Sequence, residues 1–144
     1  YAYLAAAALD VALFRPPPTA RIQESTIAVR SLCHYRARGE DDLADGFAEL
    51  LDQTHFPQID GAVVLTASLD ARRTRLEMRR RESPDEIAPD DLAVIRTPDL
   101  FLRMEQILVD ECVGRYRAKV IDTSALGKSE VVDALAAAFA EAGA

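Results

Sequence analysis

The apolar positions of this 144-residue chain fall mostly at helical spacing, interrupted by short runs that read as strands. "IAVRSLCHYRAR" (27–38) sets Ala28, Val29, Leu32 and Cys33 on one helical face, with Gly39 as a natural C-terminal stop. "DDLADGFAELLDQ" (41–53) repeats the spacing with Leu43, Phe47, Leu50 and Leu51. "SLDARRTRLEMRRRE" (68–82) reads as an arginine-rich helix. "TPDLFLRMEQILVDECVG" (97–114) carries the clearest signals. Thr97 caps it, Pro98 sits in the first turn, Leu100, Phe101, Met104, Ile107 and Leu108 form the stripe, and Gly114 ends it. The last helix, "SEVVDALAAAFAEA" (129–142), has Val131, Leu135 and Phe139 in register and Ser129 as its expected N-cap. The opening "YAYLAAAALDVALF" predicts an Ala-rich buried helix that stops at Pro16, Pro17 and Pro18.

Three strands are expected, at "ARIQEST" (20–26), "AVVLTA" (62–67) and "AKVID" (118–122). The second is continuously apolar, the pattern of a strand buried on both faces of a parallel sheet. Strands alternating with helices imply crossover units, and so an α/β fold in which a parallel sheet is flanked by helices in three layers. Length points to a single domain spanning 1–144.

Composition narrows the function classes. With 49% hydrophobic and 28% charged residues the profile is globular. The net charge of −7 argues against general nucleic-acid binding, which needs a basic face. The first apolar run is too short to span a bilayer, Asp10 interrupts it and no basic stretch precedes it, so no membrane partner is expected. Cys33 and Cys112 make no metal spacing with His34 and His55 and read as reduced thiols of a cytoplasmic protein. Residues 72–81 hold six arginines against one acid, Glu77, a local +5 that leaves −12 for the rest of the chain. Arginine forks suit phosphate, and Arg72, Arg75 and Arg79 share a helical face with Arg73 and Arg80 beside it. The other account of the cluster is a solvated basic face paired with the acidic "SPDEIAPDD" (83–91).

"DTSALGKS" (122–129) ends like a phosphate-binding loop, but Asp122 stands where Gly-x-x-x-x-Gly-Lys-Ser needs its first glycine. A carboxylate there would repel phosphate, so an ordinary strand–loop–helix junction is expected.

Several stretches together resemble the P-loop nucleotide kinases, most closely the thymidylate kinase and deoxynucleoside kinase group. "QESTIAVRSLCHYRARG" is similar to the family's acidic strand end and the helix after it, with Glu24 at the acidic position, Ser31 near the helix serine, Tyr35 at the aromatic position and Arg36 in place of Gln. "FPQIDGAVVLTASLDARRTRLEMRRRES" looks like the apolar strand and the helix that carries arginines to a lid, here about residues 72–91, and "AKVIDTSALGKSEVVDAL" like the last strand and the loop bordering adenine. The resemblance implies ATP-dependent phosphoryl transfer to a nucleotide, nucleoside or similar small acceptor, with ATP and Mg2+ as cofactors. It places Glu24 as general base or magnesium holder, Arg75, Arg79 and Arg80 at the transferring group, Ser31, Tyr35 and Arg36 at the acceptor, and Arg72, Arg73, Asp122 and Lys128 at ATP. Glu24, Ser25 and Thr26 can equally cap the following helix. Two departures stand out: the phosphate-binding loop is lacking, and Ser25 replaces the Arg expected after the acidic residue. A start without Met suggests that an N-terminal part is missing, and the chain as given is expected to be inactive. The alternatives are a non-catalytic, kinase-derived interaction or regulatory domain, and an ATPase of the broader P-loop class. The Ala-rich first helix suggests a possible homodimer.

Overall fold

The computed structural model describes residues 1–15, 22, 26–53, 59–83, 85, 87 and 92–142. They form seven helices and two strands, divided into two compact units, Tyr1–Ile59 and Asp60–Ala144.

Unit 1 is helical. Helix α1 spans Ala2–Leu13, α2 Ile27–Arg38 and α3 Asp41–Leu51. Thr26 Oγ1 accepts the Val29 N–H at 3.2 Å and starts α2. Gly39 ends it in the left-handed region (φ 76°), where a side chain would be strained. The tight turn that follows brings α3 back onto α2, and Ala28, Val29, Leu32, Cys33, Ala44, Phe47, Leu50 and Leu51 are buried. Tyr35 stacks on Phe47 (5.8 Å between centroids, 13° between planes). Helix α1 lies against α3 where Leu4 covers Gly46; a Cβ on Gly46 would stand 2.7 Å from Leu4 Cδ2. The expectation that α1 is buried is corrected: only Ala7 is buried, while Tyr1, Tyr3, Leu9 and Leu13 are exposed. Large apolar side chains at 1, 3, 4, 9 and 13 point in several directions around a helix and cannot all meet one neighbour.

Unit 2 carries strand β1 (Val63–Thr66), α4 (Leu69–Glu82), α5 (Ala93–Arg96), α6 (Pro98–Tyr116), β2 (Lys119–Asp122) and α7 (Lys128–Ala142). The strands pair in parallel, Val63 opposite Lys119 through Thr66 opposite Asp122. The chain between them passes through α4, α5 and α6, the long crossover that parallel pairing requires. Helices α6 and α7 pack against β1. Ser68 Oγ caps α4 through the Ala71 N–H (3.2 Å). Helix α6 starts at Thr97–Pro98 as expected, though the Thr97 side chain makes no cap hydrogen bond, and it runs past Gly114 to Tyr116, where Arg117 takes the left-handed conformation (φ 52°). Helix α7 starts at Lys128, so Ser129 is not its cap.

The expected three-layer, P-loop-kinase-like sheet is overturned. The described residues are mostly helical, with one parallel pair of four-residue strands. The expected first strand, 20–26, falls largely outside the described residues. Unit 1 buries its apolar stripes helix against helix, which leaves them nothing to contribute to a sheet. In β1 only Val64 is buried, and Leu65 is 41% exposed, so this strand is not covered on both faces.

Candidate functional site

The two strands end side by side at Thr66 and Asp122, and each turns directly into a helix, α4 or α7. Carboxyl ends of parallel strands are where open α/β sheets take ligands. Four hydrogen bonds hold this edge. Thr123, buried, donates its N–H (2.8 Å) and its hydroxyl (2.9 Å) to Thr66 O. The Ser68 N–H donates to Ser124 Oγ at 2.8 Å, and Ser124 in turn donates its hydroxyl to Asp122 Oδ1 at 2.5 Å. The two loops are therefore stitched to one another.

Helix α4 reaches over the same edge. Arg75 donates to Thr123 Oγ1 (3.0 Å), to Thr123 O and to Leu126 O (3.2 Å). Arg72 donates to Ala67 O (2.8 Å) and to Glu105 of α6, and its guanidinium lies 4.8 Å from the Phe101 ring centroid. Burial pushes the Glu105 carboxyl above its ordinary range, against the pull of Arg72, and the negative charge of Asp122 adds to the rise. Asp122, exposed, is held below its ordinary range by the Ser124 hydroxyl and N–H, with Arg72 and Arg75 contributing.

The junction after β2 has four of its amides committed within the chain, unlike a phosphate cradle. Such a cradle needs free backbone N–H groups. Here the Thr123 N–H goes to Thr66 O, the Ser124 N–H to Asp122 Oδ1 (2.9 Å), the Leu126 N–H to Thr123 O (3.1 Å) and the Gly127 N–H to Glu130 Oε2 (2.7 Å). Glu130 thus caps α7 from its third position and places a carboxylate where an anion would have to sit.

The expected site residues fall in three places. In unit 2, Arg72, Arg75 and Asp122 meet at the strand edge, whereas Arg73 faces Asp70 at 3.6 Å in an exposed ion pair. Lys128 is exposed at the first residue of α7. Arg79 and Arg80 lie further along α4, where every residue from 77 to 82 is exposed. In unit 1, Ser31, Tyr35 and Arg36 lie along α2; Tyr35 stacks on Phe47, and Arg36 bonds Asp45 of α3 at 2.9 Å. Glu24 and Ser25 lie outside the described residues; Thr26 does cap α2. Among the described residues no cluster of three or more His, Cys, Asp or Glu side chains is suited to a metal ion. No helix among them is long and apolar enough to cross a membrane.

Sequence reasoning missed Thr123, Ser124, Ser68 and Glu105. The signal for the first three was the placement of hydroxyl residues directly after each apolar strand; Glu105 gave none, because its partner lies 33 residues away. Comparison with protein-family models, with characterised proteins and with solved structures gives no match.

Proposed function

We propose that this chain takes part in ATP-dependent phosphoryl transfer to a nucleotide, nucleoside or similar small acceptor, with the carboxyl edge of β1 and β2 facing the ATP. The observation that carries this reading is the Arg75 clamp. Its guanidinium ties the arginine-rich helix to the carbonyls of Thr123 and Leu126, so basic helix and β2–α7 loop form one rigid rim at the strand ends. Within it Arg72 and Arg75 position the rim. Exposed Arg73, Arg79 and Arg80 of α4, with Lys128 of α7, are the cations that meet the polyphosphate. Arginine forks at such a rim stabilise the charge of a transferring phosphoryl group, which is most of what this chemistry asks of a protein. ATP is taken with its Mg2+.

Calorimetric titration with ATP and Mg2+ at low and high salt tests the reading. Saturable binding that weakens with salt, and weakens further in Arg80→Glu, is expected; the absence of binding at low salt refutes it. One observation favours a second reading, a non-catalytic regulatory domain: Arg72 and Arg75 have their donors committed within the chain. ATP binding that no candidate acceptor strengthens or weakens would select it.

A further inference from the structure

We propose that Ser83 is a phosphorylation site for an arginine-directed serine/threonine protein kinase, and that its phosphoryl group is then gripped by the arginines one turn back. Ser83 follows Arg80-Arg81-Glu82 and is the one Ser or Thr in the chain with arginines both three and two residues before it. It leaves α4 with a non-helical backbone (φ −144°, ψ 71°), its N–H still donating to Arg79 O at 2.7 Å. A kinase must draw the flanking arginines into an extended strand. Residues 77–82 are all exposed, so the last turns of α4 unwind without uncovering apolar surface. Thr74, also preceded by arginines, differs: it lies between Arg72, bound to Glu105, and Arg75, bound to the β2–α7 loop, next to buried Leu76.

In the reaction the Ser83 hydroxyl oxygen attacks the γ-phosphorus of ATP. The bond from that phosphorus to the β–γ bridging oxygen breaks, ADP leaves, and the hydroxyl proton passes to the kinase's base. The product carries about two negative charges and three acceptor oxygens. Positions 79 and 80 lie four and three residues before Ser83, on its side of the helix, where their two positive charges outweigh the repulsion that Glu82 and the carboxyl end of α4 exert on the new phosphate. Over residues 72–83, which hold six arginines against Glu77 and Glu82, the charge falls from +4 to about +2. Resting on the proposed function, this withdraws Arg79 and Arg80 from ATP.

Incubating the folded chain with a purified arginine-directed protein kinase and Mg-ATP, then mapping phosphopeptides by mass spectrometry, tests the site. One phosphoryl group at Ser83, none at Thr74 and none in Ser83→Ala is expected. No incorporation, or equal incorporation in Ser83→Ala, overturns it. The grip is read independently of ATP binding by amide hydrogen exchange at 80–83, which slows on phosphorylation; unchanged or faster exchange overturns the grip. If the unmodified chain binds ATP, the phosphorylated form binds on the order of tenfold more weakly, and an equal affinity overturns the regulatory role alone. Failure of the unmodified chain to bind ATP refutes the proposed function and leaves the mapping and exchange results to decide this proposal.

Discussion

Among single residues, the arginines of α4 divide by what they touch. Arg72 and Arg75 hold the strand edge, whereas Arg80 is exposed and available to a ligand. Replacing Arg75 with Ala leaves the Thr123 and Leu126 carbonyls to water and is expected to lower stability by about 1 kcal/mol, measured by urea unfolding. Arg75→Lys recovers only part of this, because a point charge cannot serve three acceptors from a planar fork. Glu105 sets a pH dependence. Its folded-state pKa is raised, so its contribution to stability is complete below the unfolded value, near 4.5, and is lost as pH rises through the folded value. Asp122, lowered from 3.8, acts oppositely and loses its contribution only in more acidic solution. Unfolding free energy measured from pH 4 upward should therefore decline less steeply in Glu105→Gln than in the parent chain. The sequence displayed the arginine cluster plainly. It did not display which members turn inward, since that is decided by Glu105, Thr123 and Leu126, all remote along the chain.

The secondary-structure elements show where sequence patterns suffice. Helices α2, α3, α4 and α7 and strands β1 and β2 each follow from local periodicity and apolar runs, although Ser129 is not the cap of α7. The Gly114 stop failed because an exposed glycine is tolerated inside a long helix, and α6 ends instead at Arg117. The wider sheet failed for another reason: an apolar run shows that a strand forms but not how many others join it. The fit of α1 on α3 was equally invisible, since it depends on Gly46 facing Leu4. Gly46→Ala is expected to be nearly neutral in thermal unfolding. The better helix propensity, worth about 1 kcal/mol, offsets the shift of a flexible Leu4 tip. Gly46→Leu cannot be accommodated so simply and should lose about 1–3 kcal/mol. Phe47, with no exposed surface, should lose about 3–5 kcal/mol on replacement by Ala.

Across the whole molecule the governing feature is charge segregation, +5 over ten residues of a chain whose net charge is −7. Ligand binding by exposed arginines should fade as salt shortens the screening length to roughly 8 Å near physiological strength. The stitching at the strand edge has a different consequence, for how this junction could change. Mutating Asp122 to Gly would complete the familiar glycine–lysine–serine signature on paper, yet Glu130 would still hold the Gly127 amide. A gain of inorganic phosphate affinity should require Asp122→Gly together with Glu130→Ala. At least two simultaneous steps separate this junction from an anion receptor, with the Thr123 and Leu126 amides still committed after both, however short the distance looks in letters.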